Sequence, residues 1–394
     1  MNILMVNEKG WFFGGVEQLV NDVSTGLSER GHRVALLSTE ARPQGRDELS
    51  APFVTTSCLD PTVSADAWRR QVKATIDDLE IEVAYVHRLS SVPAIEAILE
   101  HCPVVRYVHD HDLYCPRRHK YFPLTTRICT RPMGLTCLAH GCLVTPNGPW
   151  PGVPWLINLP AKHRVLQFNQ RLPRLCVGSR WMSDMMVTNG FSEDQVEVLP
   201  PIPKGLEQDP SPVETEPVIL FVGQVIRGKG VDLLLRALTE VRQPFRALIV
   251  GTGNHMESCV ALARKLKLGG QVSFLGWVSH DRIGEYFQRA RLVAVPSRWP
   301  EPFGMVGLEA MWASRPVVAF AVGGISDWLV DGESGFAVAE QDWKLYGQAL
   351  DQLLADPELA TRMGRHGHTL ASEKFRFDSQ IDRTEAMLER AIKT

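Results

Sequence analysis

The chain has no uninterrupted apolar run of the ~18 residues that a bilayer-spanning helix requires. Its first residues, MNILMVNEKGWFFGG, lack the basic stretch and apolar core of a secretory leader. Both absences predict a cytoplasmic protein. An excess of one charge is lacking too: 42 basic side chains face 45 acidic ones, a formal net charge of -3, so electrostatic capture of nucleic acid is not expected. Fixed-period repeats and low-complexity tracts are absent, which sets aside solenoids and disordered tails. The eight cysteines include no CxxC pair, and in a reducing compartment they are expected to be thiols.

What the chain does contain is alternation. Short runs rich in Val, Ile and Leu at 3–6, 34–37, 83–86 and 104–108, and again at 218–222, 247–250, 272–275, 292–295 and 317–320, are separated by segments with apolar residues at helical spacing. Strands that are apolar on both faces belong in parallel sheets covered by helices. Each half is therefore predicted to be a doubly wound α/β domain. Between them, residues 199–217 hold six prolines and several acidic side chains without a period, which reads as a linker. The expected division is 1–204 and 205–375, with a last helix over 376–394.

Two glycine-bearing loops stand between a strand and a helix. Val16, Leu19, Val20, Val23 and Leu27 mark a helix behind Gly14-Gly15, and Val231, Leu234, Leu235 and Leu238 mark another behind Gly228-Lys229-Gly230. Such loops present free backbone N–H groups and the positive end of a helix dipole, where a phosphate is held. Neither is a dinucleotide fingerprint, and Gly251-Thr252-Gly253 is followed by Asn254-His255-Met256 rather than a third glycine. The 223–230 loop begins as the GxxxxGK of a P-loop, but Gly230 stands where a Mg²⁺-binding Ser or Thr is required. Its plainer reading is a tight turn with solvated Arg227 and Lys229.

A third feature is Glu301-Pro302-Phe303-Gly304-Met305-Val306-Gly307-Leu308-Glu309, two carboxylates with seven residues between them. A helix starting near Gly304 would leave Glu301 in the loop and Glu309 well inside the helix, roughly 8–12 Å away at about 1.5 Å per helical residue. Ionised carboxylates accept paired hydrogen bonds from vicinal sugar hydroxyls, and Phe303 and Gly304 offer backbone N–H groups beside them. The spacing by itself is also compatible with two unrelated surface acids.

The run from Glu301 to Val338, EPFGMVGLEAMWASRPVVAFAVGGISDWLVDGESGFAV, resembles the E-x7-E segment of the retaining nucleotide-sugar glycosyltransferases of family 4, which have the GT-B fold. Gly14-Gly15, the 223–230 loop, Val250-Gly251-Thr252-Gly253 and Phe274-Leu275-Gly276 follow in the order that family shows. The resemblance implies two Rossmann-like domains facing across a cleft, an acceptor-side domain over 1–204 onto which the last helix packs back, and a donor-binding domain over 205–375. It implies transfer, with retention, of a sugar from a nucleotide diphosphate-sugar to a hydroxyl acceptor, in cell-surface polysaccharide, glycolipid or glycosylated-metabolite synthesis. No metal and no cofactor are implied, the nucleotide-sugar being the donor substrate.

By the same resemblance Glu309 binds the ribose hydroxyls and Glu301 the donor sugar, Gly15 offers its amide to the diphosphate, and Lys229 its charge. Gly251, Phe303 and Gly304 line the donor site. His109 stands near the reacting centre, and Gly276-Trp277-Val278 hold the base. The family often has Arg where Gln224 stands, so Arg227 is the candidate for the second positive charge; Asp327 replaces the family's usual Glu. Two other readings are an epimerase of the same architecture, which would convert a sugar nucleotide without an acceptor, and a silent nucleotide-sugar-binding partner.

Three further features have sharper and plainer readings. Asp110-His111-Asp112 is either a D-x-D metal motif or a turn at a strand end. Cys115, Cys129, Cys137 and Cys142, with 13, 7 and 4 residues between them, are either a tetrahedral zinc set or incidental thiols. Arg117, Arg118, Lys120, Arg127 and Arg131 form either a solvated loop or a surface for an anionic acceptor, such as a phosphorylated lipid carrier, with peripheral membrane contact.

Overall fold

Strands β1 (Asn2–Val6), β2 (Arg33–Ser38), β3 (Thr56–Cys58), β4 (Val83–Val86) and β5 (Val104–Val108) open the chain. A two-residue pair, β6 (Val144–Thr145) and β7 (Trp155–Leu156), precedes β8 (Arg174–Val177) and β9 (Val196–Val198). The structure is a computed structural model that describes residues 1–59, 64–145, 155–213 and 216–393. Positions 214–215 of the proline-rich segment and the last residue of the 376–394 segment lie outside the described residues. Among the described residues the first sheet runs β3-β2-β1-β4-β5-β8-β9 with every pair parallel, while β6 and β7 pair antiparallel by themselves.

The second sheet is built from β10 (Val218–Val222), β11 (Arg246–Val250), β12 (Val272–Gly276), β13 (Leu292–Val295), β14 (Val317–Phe320) and β15 (Gly335–Val338). Its order, β12-β11-β10-β13-β14-β15, is again all parallel. In both sheets the first strand sits beside the second and the fourth. The crossovers reverse direction there and leave a crevice at the carboxyl ends of the strands, the usual seat of a ligand in open α/β sheets. Central strands β4, β13 and β14 are buried along their whole length, as their unbroken apolar sequences require.

The chain divides into two compact units, each with its own sheet. The first comprises 1–118, 131–204 and the helix from Phe377 onward; the second comprises 119–130 and 205–376. The segment 119–130 thus departs from the expected boundary. Its ends pair through Tyr121 and Ile128. It is held within the second unit by Thr126 Oγ1, which donates to Gln341 Oε1 (2.7 Å), by Gln341 Nε2, which donates to Thr126 O (3.0 Å), and by Ile128 N, which donates to Glu340 Oε1 (2.9 Å).

In the first unit the helix Phe377–Ile392 buries Phe377, Ile381, Met387 and Leu388. Arg30, which caps the helix Gly15–Glu29 at its C-terminus, donates to Asp382 (2.5 Å) and Glu385 (3.1 Å), and Ile202 N donates to Gln380 Oε1 (2.8 Å). Among the described residues no helix is long and apolar enough to cross a membrane.

Candidate functional site

In the second unit the loops after β10 and β13 meet at the carboxyl edge of the sheet. Arg227–Lys229 form a single 3-10 turn leading into the helix Val231–Ala237. Gly228 O accepts from Arg298 N (2.9 Å) and Trp299 N (3.3 Å), which ties the two loops together. Gly230 has φ +72, and a Cβ on it would lie 1.8 Å from Pro296 O. No serine or threonine fits there, which is the physical reason that the loop departs from a P-loop. Gly251 is constrained in the same way, since its Cβ would lie 1.9 Å from Gly223 O at φ +127. That close approach, rather than dinucleotide binding, accounts for the glycines after β11.

The loop after β13 carries Glu301, 3% exposed. Its backbone bridges to Gly323, and its carbonyl accepts from Gly324 N (2.7 Å). Its carboxylate accepts from Lys229 Nζ at 2.8 Å (Oε1) and 2.9 Å (Oε2) and from Ser297 Oγ. Lys229 Nζ also lies 5.6 Å from the centre of the Trp299 ring. The two residues expected to act on different parts of a donor are therefore partners of one another. Arg298, on the same loop as Glu301, is held by both oxygens of Asp232 (2.8 and 2.7 Å).

The helix behind the loop runs Met305–Trp312, with Gly304 as its cap and half-buried Glu309 within it. The Phe303 side chain is core, 5.7 Å from Phe375, and its carbonyl accepts from Trp328 Nε1 (2.7 Å). Asp327 lies half-buried in the turn before Trp328. Gly251 N donates to Gly276 O (2.7 Å), which brings Gly276-Trp277-Val278 beside the 251–253 turn; Trp277 is 75% exposed and Val278 partly covered. Gln224 and Arg227 are exposed on the first loop.

His109 and Gly15 belong to the first unit. Gly15 is the first residue of its helix, a position whose N–H has no acceptor within the helix. The loop before it is organised by Glu17, buried in the first turn, whose carboxylate accepts from Gly14 N (3.0 Å) and Asn7 Nδ2 (3.4 Å). Asn7 in turn accepts from Arg88 N (3.1 Å), linking the loops after β1 and β4.

His109 Nε2 lies 2.9 Å from Nδ1 of His87, a residue that sequence reasoning missed. The two rings stack on one another, and Tyr107 stacks on His87 and lies tilted against His109. Burial holds His87 neutral, with its pKa pulled down to about 3. Burial, with His87, Arg88 and Arg106 nearby, keeps His109 well below the ordinary histidine value. Among the described residues His87 Nε2 is buried without a hydrogen-bond partner. An orphaned N–H is costlier than an orphaned lone pair, so the His87 proton belongs on Nδ1, donated to His109. Only its position after β4 could have flagged His87.

Asp110-His111-Asp112 is a capped turn. Asp110 Oδ1 accepts from Asp112 N (2.8 Å), and Asp112 pairs with Lys162 (2.6 Å) and Arg118 (3.0 Å). Cys115, Cys137 and Cys142 lie in the first unit and Cys129 in the second, all as free thiols. Among the described residues no group of three or more His, Cys, Asp or Glu is arranged to hold a metal ion. The basic stretch is also divided: Arg117, Arg118 and Arg131 lie in the first unit, and Lys120, which is buried, and Arg127 in the second. It is not one solvated loop.

Residues 206–369 match the model of the glycosyl transferases group 1, and residues 13–202 match that of glycosyltransferase family 4. The D-inositol 3-phosphate glycosyltransferase of Corynebacterium diphtheriae is 37% identical over 162 residues, which cover 39% of this chain and 38% of that protein. The alpha-D-kanosaminyltransferase of Streptomyces kanamyceticus is 31% identical over 173 residues, 43% of this chain and 45% of that protein. The chain thus spans less than half the length of these curated relatives. Among solved structures, Anabaena HepE in complex with UDP superposes with a TM-score of 0.74 at 18% identity, covering 99% of this chain and 100% of that one. Sucrose-phosphate synthase from Thermosynechococcus elongatus does so with a TM-score of 0.73 at 19% identity, covering 99% and 98%. The fold is that of the GT-B glycosyltransferases, and the chain belongs to their group 1, family 4.

Proposed function

We propose that the protein transfers a glycosyl group, with retention of anomeric configuration, from a nucleotide diphosphate-sugar to a hydroxyl acceptor. The observation that carries this reading is the Lys229–Glu301 couple at the carboxyl edge of the second sheet, set between two loops whose backbones are locked together. In the reaction the bond between the anomeric carbon and the diphosphate oxygen breaks. A bond from that carbon to the acceptor oxygen forms on the same face, and the acceptor proton passes to the departing diphosphate.

Negative charge grows on the phosphate and positive, oxocarbenium-like charge on the sugar. An ammonium has three N–H donors. With two directed at Glu301, Lys229 keeps a third for phosphate, and exposed Arg227 supplies the second charge that Gln224 does not. Buried Glu301 accepts from the sugar hydroxyls and faces the developing positive charge, while Glu309 takes the ribose hydroxyls. The roles of His109, of the Gly15 amide and of Gly251, Phe303, Gly304, Trp277 and Val278 are those implied by the resemblance. No metal and no cofactor are needed, because these cations and amides neutralise the diphosphate.

The names of the relatives support transfer to a small hydroxylated acceptor, and peripheral contact with a membrane belongs to the same reading if that acceptor is lipid-linked. The test is a thermal-shift panel of UDP-, GDP- and ADP-sugars, followed by turnover of the stabilising donor with the product anomer assigned by NMR. Donor-dependent stabilisation, release of nucleotide diphosphate and formation of a glycosylated acceptor with the donor's anomeric configuration are expected. Stabilisation by none of the three, or conversion of the donor with no acceptor present, would overturn the reading.

A further inference from the structure

The first unit contains a cavity of about 410 Å³ at the carboxyl ends of β4 and β5. Among the described residues its wall carries four basic side chains, Arg88, Arg106, Arg118 and Lys162, against two acidic ones, Asp110 and Asp112. Three of the four are already engaged by carboxylates. Arg118 and Lys162 share Asp112, and Arg88 lies 3.7 Å from Asp110 and 3.8 Å from Glu8. Arg106 is different. It rises from the middle of β5, and its guanidinium donates to Asn169 Oδ1 and to Leu89 O (3.0 Å), both neutral acceptors.

Among the described residues no carboxylate lies within ion-pair distance of Arg106. Its desolvation is enough to pull its pKa down to about 10, even with Asp112, Glu8 and Asp110 acting in the opposite direction from further off. It remains charged at neutral pH. A half-buried guanidinium without a counter-charge carries a desolvation cost that an anionic partner offsets, and its planar fork matches the two oxygens of a phosphate. The wall also carries apolar Trp155, Ile157, Val165 and Leu113, along with the neutral polar side chains of Ser90 and Asn158, so the cavity offers cationic groups together with a ring-sized apolar flank. His109 forms part of the same wall.

We propose that this cavity is a recognition site for a phosphorylated hydroxyl compound, with the phosphate on Arg106 and Lys162 and the organic part against Trp155 and Ile157. Naming that compound as the acceptor rests on the glycosyl-transfer reading; the phosphate site itself does not. The same chemistry is offered by a free sugar or polyol phosphate and by a phosphomonoester lipid.

The test holds the protein saturated with UDP, so that phosphate probes do not enter a donor site, and measures binding of inorganic phosphate, glucose 6-phosphate and glucose by calorimetry. A parallel arm sediments neutral-lipid vesicles with and without a phosphomonoester lipid. Phosphate and glucose 6-phosphate are expected to bind and glucose not to. Arg106→Gln is expected to weaken phosphate binding by roughly 30-fold or more, the effect of about 2 kcal/mol lost from a charged pair. Because Arg106 also anchors Asn169, Lys162→Gln serves as the second variant, with a smaller loss in the same direction.

Binding of phosphate probes at wild-type strength by both variants, or no preference for phosphorylated over plain glucose, would overturn the site. Recovery of Arg106-dependent binding only on lipid-bearing vesicles would assign the lipid source, and recovery with glucose 6-phosphate the soluble one. Where UDP does not bind, GDP or ADP takes its place in the test; failure of all three would count against the transfer reading alone, since Arg106-dependent phosphate binding can then be read without them.

Discussion

The two units repeat one strand order around their first strand and yet differ in how one half-buried cation of each is compensated, Lys229 in the second and Arg106 in the first. In the second unit Lys229 meets buried Glu301 and Arg298 meets Asp232, each within 3 Å, so the cations are compensated before any ligand arrives. In the first unit, among the described residues, Arg106 has only neutral partners. A compensated cation holds a loop in shape and lends part of its hydrogen bonding to a ligand. An uncompensated one favours an anion, so the same crevice is built once as a preassembled frame and once as a receptor.

The largest effect is expected where the frame has no slack. Gly230→Ser, which would restore the P-loop consensus, forces a Cβ onto Pro296 O at positive φ. It is expected to cost about 2–6 kcal/mol of stability, from overpacking and backbone strain together, read as a lowered urea midpoint. Gly14→Ser in the first unit is the contrasting case: its backbone is extended and its nearest neighbour to a new Cβ is 3.8 Å away. A serine there caps the helix and should change stability by no more than about 0.5 kcal/mol, or raise it. Equal effects of the two substitutions would erase the distinction between the loops.

Next in size is Lys229→Ala. Loss of a charged donor to the leaving diphosphate is expected to lower kcat by about 10²–10³, or about 2.7–4 kcal/mol of barrier. It also leaves Glu301 buried without its ammonium, so the urea midpoint should fall with it. Turnover within a few-fold of wild type would show that the couple is structural only, and would leave Arg227 as the second unit's candidate cation for the diphosphate.

The smallest effect sharpens the comparison along a pH axis. His87 is neutral when folded, with a pKa of about 3, and ordinary near 6.5 when unfolded, so between those values only the unfolded chain takes up its proton. Stability therefore falls as pH drops from about 6.5 towards 3, by at most about 1.4 kcal/mol per pH unit for this residue. His109 contributes in the same direction. Urea unfolding at about pH 6 and about pH 5 should show a shallower loss in His87→Gln than in wild type.

Much of this architecture was legible in the sequence. Every Val-, Ile- and Leu-rich run became a strand, and all but the edge strand β12 lie inside their sheets, where a parallel strand covered on both faces tolerates little else. Strands β3, β8, β9 and β15 were not legible. Thr56–Cys58 is three residues long and largely exposed, Arg174–Val177 begins on an arginine, and Gly335–Val338 begins on a glycine, so none carries a period. The E-x7-E spacing located Glu301 in the loop and Glu309 in the helix, but not the pairing of Glu301 with a lysine 72 residues earlier. Nor could it show 119–130 joining the second unit, since Gln341 and Glu340 reach that segment across more than 200 residues. Long-range partners of this kind leave no local trace.

The helix from Phe377 onward and the 119–130 excursion mean that the polypeptide passes from one unit to the other at 118, 130, 204 and 376. Neither unit is therefore a continuous stretch of coding sequence. A nick or truncation at the proline-rich junction would strip the first unit of the helix that buries Ile381 and Leu388, and leave the second without the strip bearing Thr126 and Ile128. Shuffling such halves between relatives succeeds only when those two outlying pieces travel with the bodies they complete.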